Sequence, residues 1–282
     1  MKYIYEMPGE YLVKAKNQGT VERFEYDTNT YDENNEPLRK GAWVYLPYGY
    51  STEKQYNVLY LLHGGGVSED WWFKMFPDTV DILDNMIEKG ICKPCIIVTP
   101  TYYRKGNVNE DAEYITEHFH TELRRDLIPQ VEKHYSSYCG QDVSEKNLVA
   151  NREHRAIAGL SLGSMTTYRA GFYNNYDIFA WYGPFSGCCG PFGDHDKEVK
   201  RIKETLIKGY EKGHSLKYMF CANGDKDIAY AEHIDIMTRA VKESNFLVEG
   251  SNYDMYIIPG GVHDMKAWQL HLFHALQVFF AS

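Results

Sequence analysis

The chain has 282 residues, 44% of them hydrophobic and 24% charged, which is ordinary for a soluble globular protein and enough for one large core. A formal net charge of −9 repels a phosphate backbone, so nucleic acid is not an expected partner. No apolar run approaches the ~20 residues of a membrane span, and Met1–Glu10 has no apolar signal-peptide core, which leaves cleavage or excision from a longer polypeptide open.

In chain order, Val21–Tyr26 and Ala42–Leu46 read as strands on either side of a turn-rich Asp27–Pro37. Asn57–Leu62 is a buried strand broken by His63–Gly66. Thr79–Lys89 carries Val80, Leu83, Met86 and Ile87 at helical spacing, and Gly90 stops it. Cys95–Val98 is a short strand ending at Pro100. Asp111–Tyr138 is mostly helical, with Ile115, Phe119, Leu123 and Leu127 on one stripe and Pro129 expected to end or kink it. Arg155–Leu160 is a strand followed at once by a helix from Leu162 to about Tyr173. Ile178–Tyr182, Tyr218–Ala222 and Tyr253–Ile258 are further strands, and Ile228–Ser244 and Asp264–Phe280 are helices.

This alternation predicts an α/β fold: a mostly parallel central sheet with helices on both faces. No linker divides the chain, so residues 1–282 are read as one domain. Gly183–Gly193 is expected to be a loop which, with the polar segment to Lys212, forms a small insert near the active site. Aromatics reach 15%, with 24 Tyr, and suit a packed core or a surface that stacks on sugar and phenolic rings. Six cysteines are too few for a disulfide scaffold, and Cys92-x-x-Cys95 lacks a second pair at zinc-ligand spacing.

Gly159-Leu160-Ser161-Leu162-Gly163 fits G-x-S-x-G between a strand and a helix. That context is the nucleophile elbow of α/β-hydrolases, in which the flanking glycines make room for a strained turn. Ser161 is therefore the candidate nucleophile, against the plain alternative of a helix cap. His63-Gly64-Gly65-Gly66 follows a strand and offers an oxyanion donor among Gly64, Gly65 and Gly66, with Gly65 preferred; Leu162 supplies the second. His63 reads as a loop anchor. Trp71 and Trp72 either wall the pocket or anchor this loop, and Trp268 is a further substrate-binding candidate. Asp227, past a late strand, is the preferred acid and Asp225 its rival. His263, between a strand and the last helix, is the candidate base, whereas His118, His120, His134, His271 and His274 read as surface or core residues. The order Ser161, Asp227, His263 is the α/β-hydrolase order.

These residues carry a resemblance. VYLPYGY (44–50), YLLHGGG (60–66), REHRAIAGLSLGS (152–164), GPFSG (183–187), GDKDIAY (224–230) and PGGVHDMKAW (259–268) resemble the carbohydrate esterase family 1 feruloyl esterases, related to esterase D-type hydrolases, from about residue 20 to the end. The resemblance implies hydrolysis of hydroxycinnamoyl esters on plant arabinoxylan, with Ser161, Asp227 and His263 as the triad. It implies no metal or organic cofactor, no nucleic-acid or membrane partner, and leaves oligomeric state and compartment open, a secreted or periplasmic setting being compatible with it. Members often carry an acidic residue after the S-G of FSG, where this chain has Cys188. The rival expectations are an acetyl-xylan esterase, an S-formylglutathione-type thioesterase, an acyltransferase to another sugar acceptor, and a hydrolase-like domain kept for carbohydrate binding.

Overall fold

The computed structural model describes residues 2–104, 110–188 and 194–281. Strands β1 (Thr20–Asn29) and β2 (Pro37–Leu46) pair antiparallel, from Thr20 opposite Leu46 to Asn29 opposite Pro37. They extend well into the expected turn. Their polar outer ends are paired across the ladder, Arg39 reaching both Glu25 and Asp27, so no apolar alternation announced them. The remaining elements are β3 (Asn57–Leu62), α1 (Asp78–Glu88), β4 (Cys95–Pro100), α2 (Ala112–Glu122), α3 (Ile128–His134), α4 (Glu145–Ala150), β5 (Arg155–Leu160), α5 (Leu162–Thr166), β6 (Trp181–Phe185), α6 (His195–Glu211), β7 (Tyr218–Gly224), α7 (Tyr230–Glu243), β8 (Tyr253–Ile258) and α8 (Met265–Val278).

The eight strands form one sheet in the order β1-β2-β4-β3-β5-β6-β7-β8. Pairing is antiparallel from β1 to β4 and parallel from β4 to β8. Side chains alternate between two layers, as a pleated strand requires: Val58, Tyr60 and Leu62 of β3 face a core closed by α2, α3, α6 and α7, while Leu59 and Leu61 face one closed by α1 and α8. The order reverses between β3 and β5, one neighbour lying on each side of β3. Such a switch point opens a crevice at the carboxyl ends of the strands.

Three expectations need correction. Pro129 does not end its helix. The chain widens into a π-helical stretch, Leu123–Leu127, immediately before α3, and Pro129 sits in the first turn of α3, where a missing N–H costs little. The strand expected at Ile178–Tyr182 is displaced to Trp181–Phe185, so Gly183-Pro184-Phe185 belongs to the sheet. Pairing with β7 skips Gly183 and Pro184, which accommodates a proline in an interior strand. The polar segment before Lys212 is the helix α6, whose apolar Val199, Ile202 and Leu206 join the core; the loop expectation at 189–193 lies outside the described residues. Cys92 and Cys95 are free thiols. Among the described residues, no helix is long and apolar enough to cross a membrane.

Candidate active site

Ser161 stands at the sharp turn between β5 and α5 with φ 54° and ψ −116°, a conformation that an L-residue adopts only under constraint. The neighbours impose it. A Cβ at Gly159 would lie 2.6 Å from the Gly163 carbonyl oxygen, and one at Gly163 would lie 2.3 Å from that of His63. Both glycines are thus required for the turn to nest between β3 and the helix that leaves it, which runs as α5 and then as π-helical turns through Thr167–Tyr173. The Ser161 N–H donates to the Phe185 carbonyl at 2.9 Å, tying the turn to β6. Ser164 Oγ donates to the Gly187 carbonyl at 2.9 Å, tying the first helical turn to the segment after β6.

The sheet brings the distant side chains together. His263 Nε2 lies 3.0 Å from Ser161 Oγ, and His263 Nδ1 lies 2.9 Å from Asp227 Oδ1. The Asp227 side chain is fully buried, while the His263 ring keeps 22% of its surface open to solvent. Asp227 Oδ1 also accepts the Ala229 N–H at 2.9 Å. Burial alone would raise the Asp227 carboxyl; the hydrogen bonds from His263 and Ala229 outweigh it and hold the carboxyl below its ordinary range. Asp225, the rival, instead accepts the Gly260 N–H at 2.7 Å and braces the neighbouring turn. Trp268 is buried and sets its ring perpendicular to His263 at a centroid distance of 5.0 Å, which limits how far the imidazole can swing.

The glycine loop after β3 is anchored from below. His63 is buried, its Nε2 2.9 Å from Thr101 Oγ1, and burial lowers its pKa to about 4. Tyr102 Oη donates toward the carbonyls of His63 and Gly64, at 2.9 and 2.8 Å. The Gly66 N–H donates to Tyr103 Oη at 2.9 Å, so it is already committed and does not face a substrate. Gly65 abuts Leu162: a Cβ there would meet Leu162 Cδ2 at 3.6 Å and Cβ at 3.8 Å. Leu162 opens α5, where backbone N–H groups lack helical partners. The two preferred oxyanion donors are therefore neighbours. Tyr102 and Tyr103 belong to no motif in the sequence; their only local signal is their position just past the end of β4 at Pro100.

Ser161 and His263 open onto a cleft of about 300 Å³ that is also lined by Ala112, Leu162, Met165, Ser186, Gly187, Cys188, Ile228, Ala229 and Glu232. Its surface is predominantly apolar. The size falls at the lower end of small-molecule sites, ~300–1,000 Å³. Two larger hollows, of about 520 and 470 Å³, have mixed polar and apolar surfaces and contain neither Ser161 nor His263. The expected tryptophans do not line the cleft. Trp72 is fully buried with its indole N–H on the Leu62 carbonyl at 3.0 Å, so it anchors β3. Trp71 packs between Phe76 and Trp268. Gly64, Gly65 and Gly66 also stand outside the lining. Beyond Ser161 and His263, the lining residues come from the start of α2, α5, the segment after β6 and the chain entering α7, and no local motif marks Met165 or Glu232.

This sheet order, with a serine on a strained turn and a histidine–aspartate pair on later strand ends, defines an α/β-hydrolase. A family model described as putative esterase matches residues 39–279. Among curated proteins, the chain is 32% identical over 247 residues to endo-1,4-beta-xylanase Y of Acetivibrio thermocellus, covering 86% of this chain and 22% of the relative. It is 29% identical over 237 residues to an endo-1,4-beta-xylanase/feruloyl esterase of Xylanibacter ruminicola, covering 81% and 27%. The chain therefore spans about a quarter of the length of these relatives. Among solved structures, a mutant feruloyl esterase module from Clostridium thermocellum, complexed with sinapinate, superposes with a TM-score of 0.84 at 30% identity, covering 99% of this chain and 96% of that one. A CE1 ferulic acid esterase from Anaeromyces mucronatus, at 23% identity and a TM-score of 0.75, covers 99% and 98% and shares the fold. The chain belongs to the putative esterase family.

Proposed function

We propose that this chain is one esterase domain that hydrolyses hydroxycinnamoyl esters, such as feruloyl groups on plant xylan, through an acyl-serine. The observation that carries the proposal is the continuous relay from Ser161 Oγ through His263 to Asp227, at 3.0 and 2.9 Å, opening on an apolar cleft. His263 Nε2 takes the Ser161 proton as Oγ attacks the ester carbonyl. The backbone N–H groups of Leu162 and Gly65 receive the oxyanion, each such donor contributing about 3 kcal/mol in the transition state. The tetrahedral intermediate expels the sugar alcohol, which collects its proton from His263. Water then repeats the sequence on the acyl-serine and releases the acid. Asp227 keeps the proton of neutral His263 on Nδ1, so that Nε2 is free to accept, and stabilises the imidazolium that forms. None of these steps calls on a metal or an organic cofactor.

The acyl group is assigned from the cleft and the relatives together. An acetyl group would leave most of an apolar 300 Å³ space unfilled, whereas a planar aromatic acyl chain buries against Met165 and Ile228. The similarity to a feruloyl esterase module favours the same class. The test is a panel of methyl ferulate, acetylated xylan and S-formylglutathione with wild type and Ser161→Ala. The expected result is turnover of methyl ferulate above the other two, reduced by about 10⁴-fold or more in the variant. Preference for acetylated xylan or S-formylglutathione would reject the acyl assignment, and wild-type turnover in the variant would reject the nucleophile.

A further inference from the structure

Among the described residues, the cleft beside Ser161 contains one ionisable carboxylate that the relay does not use. Glu232 lies in the first turn of α7, five residues beyond Asp227, and its side chain lines the same cleft as Ser161, Met165 and Ile228 while keeping 18% of its surface exposed. Its neighbour is His195 at the start of α6, whose Nε2 is 3.7 Å from Glu232 Oε1, too long for a hydrogen bond. His195 instead commits its Nδ1 to Asp235 Oδ2 at 2.6 Å. The Glu232 carboxylate thus has an imidazole neighbour that does not saturate its oxygens.

A carboxylate is an unusual lining for a mostly apolar cleft. An ionised carboxylate accepts hydrogen bonds and donates none, so the ligand group that suits it is a donor. The side chains around it point to the rest of that ligand. Ile228 is 80% exposed beside the buried Asp227, with its apolar surface turned to solvent and to the cleft. Met165, soft and polarizable, lines the same space and suits contact with an aromatic ring. A flat apolar body carrying a hydroxyl donor fits this combination.

Resting on the esterase reading above, we propose that Glu232 is a specificity residue that accepts the phenolic 4-hydroxyl of the acyl ring, with Ile228 and Met165 covering the ring. The position after the S-G of FSG is Cys188, which also lines the cleft, and Glu232 of α7 is the carboxylate among the lining residues. A charge-assisted O–H···O⁻ bond in a desolvated cleft discriminates strongly, because the 4-methoxy analogue leaves the carboxylate unpaired.

The experiment compares kcat/KM for methyl ferulate and for methyl 3,4-dimethoxycinnamate, which differ only in the 4-hydroxyl, in wild type, Glu232→Gln and Glu232→Leu. The expected wild-type preference for ferulate is tenfold or more. It should shrink in Glu232→Gln, which keeps a neutral acceptor, and collapse to within about twofold in Glu232→Leu, mainly through KM. Competitive inhibition by ferulic and 3,4-dimethoxycinnamic acids should show the same order. A wild-type enzyme that hydrolyses both esters equally, or a preference that survives in Glu232→Leu, overturns the role of Glu232 and leaves the esterase reading intact. Turnover of neither ester by wild type overturns the hydroxycinnamoyl reading on which the role of Glu232 rests.

Discussion

The two sides of the cleft are built on opposite principles. On the relay side, Ser161, Asp227 and His263 each follow the carboxyl end of a parallel strand, and backbone contacts of 2.3 to 2.6 Å that an added Cβ at Gly159 or Gly163 would meet fix the turn that holds Ser161. On the substrate side, Ile228 just before α7 is exposed, Glu232 in the first turn of α7 is partly exposed, and Cys188 borders residues outside the described structure. The relay is determined by steric exclusion, which tolerates almost no substitution. The substrate wall is determined by surface chemistry, which tolerates many substitutions at altered specificity. On the proposed reading, catalysis and specificity are therefore expected to be separable in this molecule.

The strongest way to break that separation is at the acid. Asp227→Asn should preserve folding yet lower kcat by about 10³–10⁴-fold, because the amide no longer holds the His263 tautomer. Asp225→Asn, at a residue bonded to the Gly260 N–H, should stay within a few-fold of wild type. Equal losses in the two variants, measured as kcat on methyl ferulate, would show that the turn rather than the relay matters. Next in size is Gly163→Ala. Its methyl must displace the His63 carbonyl, and overpacking of that kind costs roughly 1–3 kcal/mol. A urea midpoint unchanged from wild type would contradict the steric account of the elbow. The smallest effect belongs to the substrate wall. Ile228→Ala should leave stability within about 0.5 kcal/mol of wild type, since the side chain is 80% exposed, while lowering kcat/KM for methyl ferulate about three- to tenfold. A loss of stability larger than the loss of specificity would place Ile228 with the core.

The same contrast sets how far the sequence discloses each side. The G-x-S-x-G turn, the glycines after β3 and the order serine, aspartate, histidine are local patterns with steric or chemical causes, and the described distances join Ser161, His263 and Asp227 as those patterns anticipate. The choice between Asp225 and Asp227 is a matter of two residues in one turn; the buried carboxylate that meets His263 belongs to Asp227. Sequence patterns fail where burial or long-range pairing decides. The sequence leaves Trp72 open between a pocket wall and a loop anchor; its indole N–H finds a buried carbonyl and the ring goes inward, which takes it out of the cleft. Gly183-Pro184 reads as a turn, yet the strand runs through it because the ladder to β7 skips that point. The strands of the antiparallel β1–β2 pair are legible at Val21–Tyr26 and Ala42–Leu46, but their outer ends, to Asn29 and from Pro37, are hidden by polar residues satisfied across strands. Met165, Ile228 and Glu232 meet only in three dimensions.

The most direct measurement is to stop the proposed cycle at its covalent step. A serine-directed fluorophosphonate, with proteolysis and mass spectrometry of the product, should place one adduct on the peptide containing Ser161, in proportion to lost esterase activity, and none in His263→Ala. Labelling at another residue, or full activity after Ser161 is modified, would contradict the account.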